Sequence, residues 1–217
     1  MKSKLCDMLG IEFPLIAFSH CRDVVVEVSK AGGLGVLGAA SFSAEQLEIE
    51  LTWIDGQLGG IPYGVDLIAP TSMAVTEEND SIEDIKGLVP DSYRQFASSI
   101  LEKHDIDPTG VYADEYEKNA FLTKGKAGNI IDVAFSHPIK LIANALGVPP
   151  AYMIEMGRRH GVATAALIGT KEHAIKQVQA GVDIVVASGT EAGGHCGEVS
   201  TMVLIPEICS VMEDSGV

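Results

Sequence analysis

The chain has 217 residues, enough to bury one sizeable core, and no apolar run reaches the roughly 20 residues needed to span a bilayer, which argues against a membrane partner. Its 30 acidic and 15 basic residues give a net charge of -15, which repels phosphate backbones and anionic lipid surfaces and so excludes nucleic acid from the expected partners. The cysteines Cys6, Cys21, Cys196 and Cys209 form neither a C-x-x-C pair nor a dense framework, and the first residues do not read as a secretory leader, so a reducing, cytoplasmic setting is expected.

In chain order, Pro14–Phe18 reads as a buried strand and Arg22–Ala31 as the helix after it. Leu34–Gly38 is a second strand, and Ser43 then caps a helix that runs to about Gln57. Pro62–Ile68 is a third strand. From 69 to 129 the texture turns acidic and polar, as in Glu77-Glu-Asn-Asp-Ser-Ile-Glu-Asp84, with helical stretches near Ser92–His104 and Ala113–Lys126. This span reads as a helical insertion within one domain that covers 1–217. The alternation then resumes with Ile130–Phe135 as a fourth strand and short helical stretches up to His160. Val162–Ile168 is the next strand, Lys171–Ala180 its amphipathic helix, Asp183–Ser188 the last strand and Met202–Glu213 the last helix.

Strands that are apolar throughout and separated by helices predict a parallel sheet covered by helices. An open doubly wound sheet and an (α/β)8 barrel both satisfy that pattern. A barrel takes about 250 residues before insertions, so on that reading the chain is an incomplete TIM-barrel type with about six βα units.

In either architecture the active site forms at the carboxyl ends of the strands, so the polar residues just past each strand are the candidates. These are Ser19-His20 after the first strand, Asp66 near the end of the third, Ser136-His137-Pro138 after the fourth, and Ser188-Gly-Thr-Glu-Ala-Gly-Gly-His-Cys-Gly197 after the last. His104, His160 and His173 fall in or beside helices and read as surface residues. In the last loop Gly189, Gly193, Gly194 and Gly197 surround one ionisable group, His195. Closely spaced glycines let a flat ligand approach the main chain, and an imidazole suits proton transfer near neutral pH.

Competing motifs are weaker. Gly33-Leu-Gly-Val-Leu-Gly38 fits G-x-G-x-x-G, but its glycines enter and occupy a strand instead of opening a helix. His195-Cys196 with Cys209 lacks zinc-ligand spacing, so no metal is expected, and adjacent His and Cys in a loop point apart, against a thiol nucleophile. Arg158 and Arg159 sit late in a helical stretch and read as solvated helix-end charges.

Two segments carry a resemblance to a known family. Phe13-Pro-Leu-Ile with Ser29-Lys-Ala-Gly-Gly-Leu-Gly-Val-Leu-Gly-Ala39 is similar to the amino-terminal signature of the nitronate monooxygenases, formerly 2-nitropropane dioxygenases. Gly181-Val-Asp-Ile-Val-Val-Ala-Ser-Gly-Thr-Glu-Ala-Gly-Gly-His-Cys-Gly-Glu-Val-Ser-Thr201 resembles their most distinctive motif. The resemblance implies an FMN-binding barrel that oxidises alkyl nitronates with O2 to a carbonyl compound and nitrite. It makes His195 the catalytic proton handler and Ala17, Phe18, Asp66, Ser188, Gly189, Glu191, Gly193 and Gly194 the cofactor-binding set; His20 and His137, by their strand-end positions, are the substrate-pocket candidates. Asp66 departs from the family, many of whose members carry an asparagine against the flavin at that place. The glycine-rich histidine motif is shared with flavin-dependent reductases of enoyl and other CoA or ACP thioesters, which use NAD(P)H, so that activity is the alternative. A further alternative is an inactive fragment or assembly partner, because a six-unit sheet leaves apolar strand edges that invite pairing with another chain, including a homo-oligomer.

Overall fold

The computed structural model of the chain describes residues 3–69, 90–109, 124–194, 196–213 and 215, with the side chains of 124–128 left aside. In chain order the elements are α1 (Lys4–Leu9), β1 (Ile16–Ser19), α2 (Arg22–Lys30), β2 (Leu34–Gly38), α3 (Ala44–Leu58), β3 (Tyr63–Leu67), α4 (Asp91–Lys103), α5 (Lys124–Ser136), β4 (Leu141–Asn144), α6 (Ala151–His160), β5 (Ala163–Ile168), α7 (Lys171–Ala180), β6 (Ile184–Ala187) and α8 (Thr201–Met212). Among the described residues no helix is long and apolar enough to cross a membrane.

All neighbouring strands pair in parallel and the spatial order is β1-β2-β3-β4-β5-β6. A doubly wound sheet reverses direction from its first strand, whereas a barrel adds each new strand to the same edge. The sequential order therefore decides for the barrel type, as a curled half-barrel of six strands.

Register assigns the two faces. Val36, Gly64 and Leu141 lie opposite one another, as do Gly38, Asp66 and Ala143, and side chains alternate between faces along each strand. The outward set, including Leu37, Tyr63, Val65, Leu67 and Ile142, packs with Leu47, Leu51 and Ile54 of α3 and with Ile131 and Ala134 of α5 in the largest core. The inward set, Leu34, Val36, Leu141, Ala143 and Ala165, packs with Cys6 and Leu9 of α1 and with Ile11. These inward residues cluster at the strands' N-terminal ends, so α1 plugs that mouth of the curl. Ser3 caps α1 by accepting from the Cys6 amide, and Gly10 ends it with φ 70°. On the two edge strands the inward face is open, with Phe18 54% and Val186 39% exposed.

One element departs from expectation. Ile130–Phe135, read as the fourth strand, lies in helix α5; the fourth strand is Leu141–Asn144, inside the span read as helical. Six apolar residues do not fix a period by themselves. Here Ile130, Ile131, Ala134 and Phe135 are buried while Asp132 is exposed, the spacing of a helical face that α3 covers. The real strand is only four residues long, and all four are buried. The expected helix near Ala113–Lys126 lies outside the described residues apart from the start of α5, and the expected insertion end at 129 falls within α5.

The shift moves His137. It follows a helix and precedes a strand, so it stands at the N-terminal end of the sheet and not at the carboxyl rim as a substrate-pocket residue. Its Nδ1 lies 2.6 Å from Asp55 Oδ2 and its Nε2 3.2 Å from Glu48 Oε2, both carboxylates coming from α3. Tyr63 donates its hydroxyl to the other Asp55 oxygen at 2.7 Å, and burial with that bond pushes the phenol's pKa up. His137 thus ties α3 to the turn before β4 and to the start of β3.

Candidate functional site

The open end of the curl, where the strands finish, collects the remaining candidates. Alternation along β1 sends Phe18 to the concave face and Ala17 to the helix side, since Ala17 pairs with Gly35 and Phe18 with Val36. Of those two expected cofactor neighbours, only Phe18 offers its side chain to the concavity. Its ring meets His20 edge-on, with centroids 5.0 Å apart and planes at 81°. His20 Nδ1 lies 3.0 Å from the Gly38 carbonyl oxygen, so the imidazole is anchored on the end of β2. A Cβ on Gly38 would come within 2.5 Å of Phe18 Cζ and 2.8 Å of His20 Nδ1, so only glycine there lets both rings lie across β2.

Asp66 sits one strand further along on the same face, between Gly38 and Ala143. Its Oδ1 is buried without a hydrogen-bond partner. Burial pushes its pKa up to about 7, against a smaller opposing pull from the Leu67 backbone amide. Beside it, Asn144 is fully buried and fully used: Oδ1 accepts from the Ala69 amide at 2.8 Å, and Nδ2 donates to the Leu146 and Gly147 carbonyls at 2.8 and 3.1 Å. Asn144 stitches the ends of β3 and β4 together. An asparagine closing the apolar run Leu141-Ile-Ala was the signal for it in the sequence, hidden by the misplaced strand.

The loop after β6 is held at its ends and open in its middle. The Ser188 amide donates to the Ile168 carbonyl at 2.8 Å, and the Gly197 amide donates back to the Ser188 carbonyl at 3.1 Å. A Cβ on Gly197 would sit 2.4 Å from the Gly169 carbonyl oxygen, which keeps the returning strand of the loop pressed on the end of β5. Glu191 Oε2 accepts from both the amide and the hydroxyl of Thr201 at 2.9 Å, so it caps the start of α8, and these bonds hold its carboxyl below the usual carboxylate range. Glu191 therefore anchors the loop through α8, a role the sequence did not suggest. Gly189 lies against Thr201, while Gly193 and Gly194 have open space where a Cβ would point. His195 lies outside the described residues.

A cavity of about 670 Å3 opens beside this loop, between the turns that follow β4, β5 and β6. Leu146, Thr170, Ser188 and Gly197 line it together with Lys176 and His173 of α7, the latter read from its helical setting as a surface residue. Gln177, only 3% exposed, closes its wall by donating to the Gly147 carbonyl at 3.0 Å. The arrangement is a shallow concave rim with an aromatic ring on β1, a carboxyl with one unpartnered oxygen on β3 and exposed glycine backbone in the loop after β6. That combination suits a flat ligand with hydrogen-bonding groups along one edge.

Comparison with known proteins gives a consistent picture. The sequence profile described as nitronate monooxygenase matches residues 2–213. A Mycobacterium tuberculosis protein named as a monooxygenase is 43% identical over 219 residues, covering 100% of this chain and 58% of that one. A Staphylococcus aureus protein named as a nitronate monooxygenase is 30% identical over 228 residues, covering 97% and 58%. Among solved structures, a nitroalkane oxidase from Streptomyces ansochromogenes superposes with TM-score 0.69 at 23% identity, over 96% of this chain and 58% of its own. FabK from Thermotoga maritima superposes with TM-score 0.64 at 20% identity, over 97% and 51%. At those identities the two structures speak to the fold alone. The chain spans about 58% of the length of the curated relatives it matches.

Proposed function

This chain belongs to the nitronate monooxygenase family, and from that premise we propose that it forms the flavin-facing part of an FMN-dependent oxidoreductase that oxidises alkyl nitronates with O2 to a carbonyl compound and nitrite. The observation that carries the reading is the set placed at the carboxyl ends of the strands: Phe18, Gly38 and Asp66 on one concave face, and the open backbone of Gly193 and Gly194 in the loop after β6. A bound flavin would supply the redox chemistry between a carbanionic substrate and oxygen, and Phe18, Asp66, Gly193 and Gly194 are the residues that would hold it.

The chain's own residues bind, orient and move one proton. Phe18 offers a face for the ring system, and Ser188 with Gly189 fixes where the glycine loop leaves the sheet. Glu191 holds that loop to α8, so Gly193 and Gly194 present backbone to the cofactor at a set height. His195 is the proposed proton handler, the role that the resemblance of its glycine-rich motif implies. His20 borders the substrate side, anchored through Gly38. The same reading carries a cytoplasmic setting, and a small-molecule substrate with O2 as its partners.

The cavity beside the loop favours a second reading. At about 670 Å3 it falls within the range of roughly 300–1,000 Å3 usual for ligand pockets and exceeds what a small alkyl nitronate fills. An enoyl or other CoA or ACP thioester would use that space, with NAD(P)H as reductant.

A visible absorption spectrum of the purified chain after added FMN is removed tests the cofactor, with a retained, protein-perturbed spectrum expected. Nitrite release from an alkyl nitronate without NAD(P)H supports the first activity, and thioester-dependent NAD(P)H consumption replaces it with the second. His195→Asn is expected to keep the flavin and lower turnover by on the order of 100-fold. Wild-type turnover in that variant removes His195 from the chemistry.

A further inference from the structure

Among the described residues, Asp66 is the one ionisable side chain on the concave face with a buried atom that lacks a hydrogen-bond partner. Its strand neighbours offer no polar side chain: Gly38 on β2 has none, and Ala143 on β4 presents a methyl group. Around it, His20 on the turn after β1 is engaged with the Gly38 carbonyl, and the amide of Asn144 at the end of β4 has all its bonds made within the protein. Beneath, α1 brings Cys6 and Leu9 to the inward core. Further along the sheet, Thr170 follows β5 and Ser188 follows β6, and Glu191 of that last loop is bound to Thr201. Among the described residues no lysine or arginine pairs with Asp66.

A buried carboxylate without a cation or enough donors is costly, and the group avoids the cost by keeping its proton. The direction of its pKa shift, set first by burial, agrees. A neutral carboxyl has one O–H to give, and among the described residues no acceptor takes it from Oδ1. The edge of a flavin ring offers carbonyl oxygens and ring nitrogens that do.

We propose that Asp66 works as a neutral carboxylic acid that donates a hydrogen bond to an acceptor on the flavin edge, so that the chain holds its cofactor while Asp66 is protonated and loosens it as Asp66 ionises. The inference rests on the flavin reading above. It gives the aspartate a role that an amide at this place would not share: an amide donates at every pH, whereas an acid donates only with its proton on. Once ionised, Asp66 is an acceptor alone and faces the ring's own acceptors.

The test follows the group and the cofactor separately. In the chain without flavin, the side-chain carboxyl carbon of Asp66, observed by 13C NMR, is expected to titrate near pH 7; a midpoint near 4 overturns the proposal, and this readout needs no variant. FMN affinity is then measured by spectroscopic titration between pH 6 and 8 in the wild type and in Asp66→Asn. The wild-type Kd is expected to rise about tenfold over that interval, as binding to one protonated form requires, while the variant's changes little. The variant also controls for titration of the FMN phosphate. A wild-type profile that the variant shares overturns this inference and leaves the flavin reading standing. Absence of FMN binding by both proteins at every pH overturns the flavin reading and this inference together.

Discussion

The two ends of the curled sheet follow opposite rules. At the N-terminal end, α1 plugs the mouth, Tyr63, Asp55, His137 and Glu48 form a continuous chain of hydrogen bonds, and the amide and hydroxyl of Thr164 both donate to Asp183 Oδ2 at 2.8 and 2.9 Å. At the C-terminal end, Phe18 is more than half exposed and Gly193 and Gly194 face open space. The two buried side-chain oxygens that lack a partner among the described residues, Asp66 Oδ1 and Gln177 Oε1, belong to this end: Asp66 near the end of β3, and Gln177 on the helix that donates to the turn after β4. Among the described residues, bonded polar groups tie the strands at the N-terminal end, while both unsatisfied side-chain oxygens lie at the C-terminal end, where Asn144 joins β3 to β4. This is the division between a stabilising and a functional face that barrel proteins show.

If the division is real, changes at the closed end cost stability and spare the ligand. Asp55→Ala strips a partner from both His137 and Tyr63, whose side chains are nearly inaccessible. It is expected to lower the unfolding free energy by about 3 kcal/mol in urea titrations. FMN affinity of the folded protein should stay within about twofold, because the sites share no partner. A matching loss of affinity would show that the two ends are coupled.

Asp66→Asn should act in the reverse sense. The folded carboxyl titrates at about 7 against a reference of 3.8, so between those values the fold keeps a proton that the unfolded chain releases. The contribution of Asp66 is therefore fully present below the unfolded value, declines as pH rises and is gone above the folded one. Removing the carboxyl is expected to flatten that slope and to make the variant more stable than the wild type at pH 8 by about 2 kcal/mol, allowing for residual exposure. Denaturant midpoints across pH 4–8 check it, and an unchanged slope assigns the dependence to other groups.

The smallest expected effect lies on the rim itself. Gly38→Ala pushes Phe18 and His20 off β2 and should weaken FMN binding about tenfold, about 1.4 kcal/mol, with a smaller change in stability. Spectroscopic titration measures it, and unaltered affinity would mean that the two rings do not form the ligand's bed.

Much of this was legible in the residue order. Short apolar runs separated by helical patterns announced a parallel α/β sheet, Ser43 marked the start of α3, and the glycines around His195 marked the loop after the last strand. The miss at Ile130–Phe135 came from a run too short to carry a period; α3 lies against that segment and makes it a helix. The miss displaced His137 to the wrong rim and hid Asn144 within a supposed helix. Glu191 was legible as part of a motif, but its bond to Thr201 was not, since α8 begins ten positions later and the loop's path decides whether they meet.

The sequence by itself determined the class of fold, the family and the identity of the candidate loop, because these rest on local periodicity and on a contiguous motif. Tertiary structure decided barrel winding over a doubly wound sheet, the ends of the sheet at which His20 and His137 stand, and the unpartnered oxygen of Asp66. Each of those depends on which strand lies beside which. The sequence marks Asp66 as a candidate near the end of a strand; Gly38 on one side and Ala143 on the other, 28 residues before it and 77 after, leave its Oδ1 buried without a partner among the described residues.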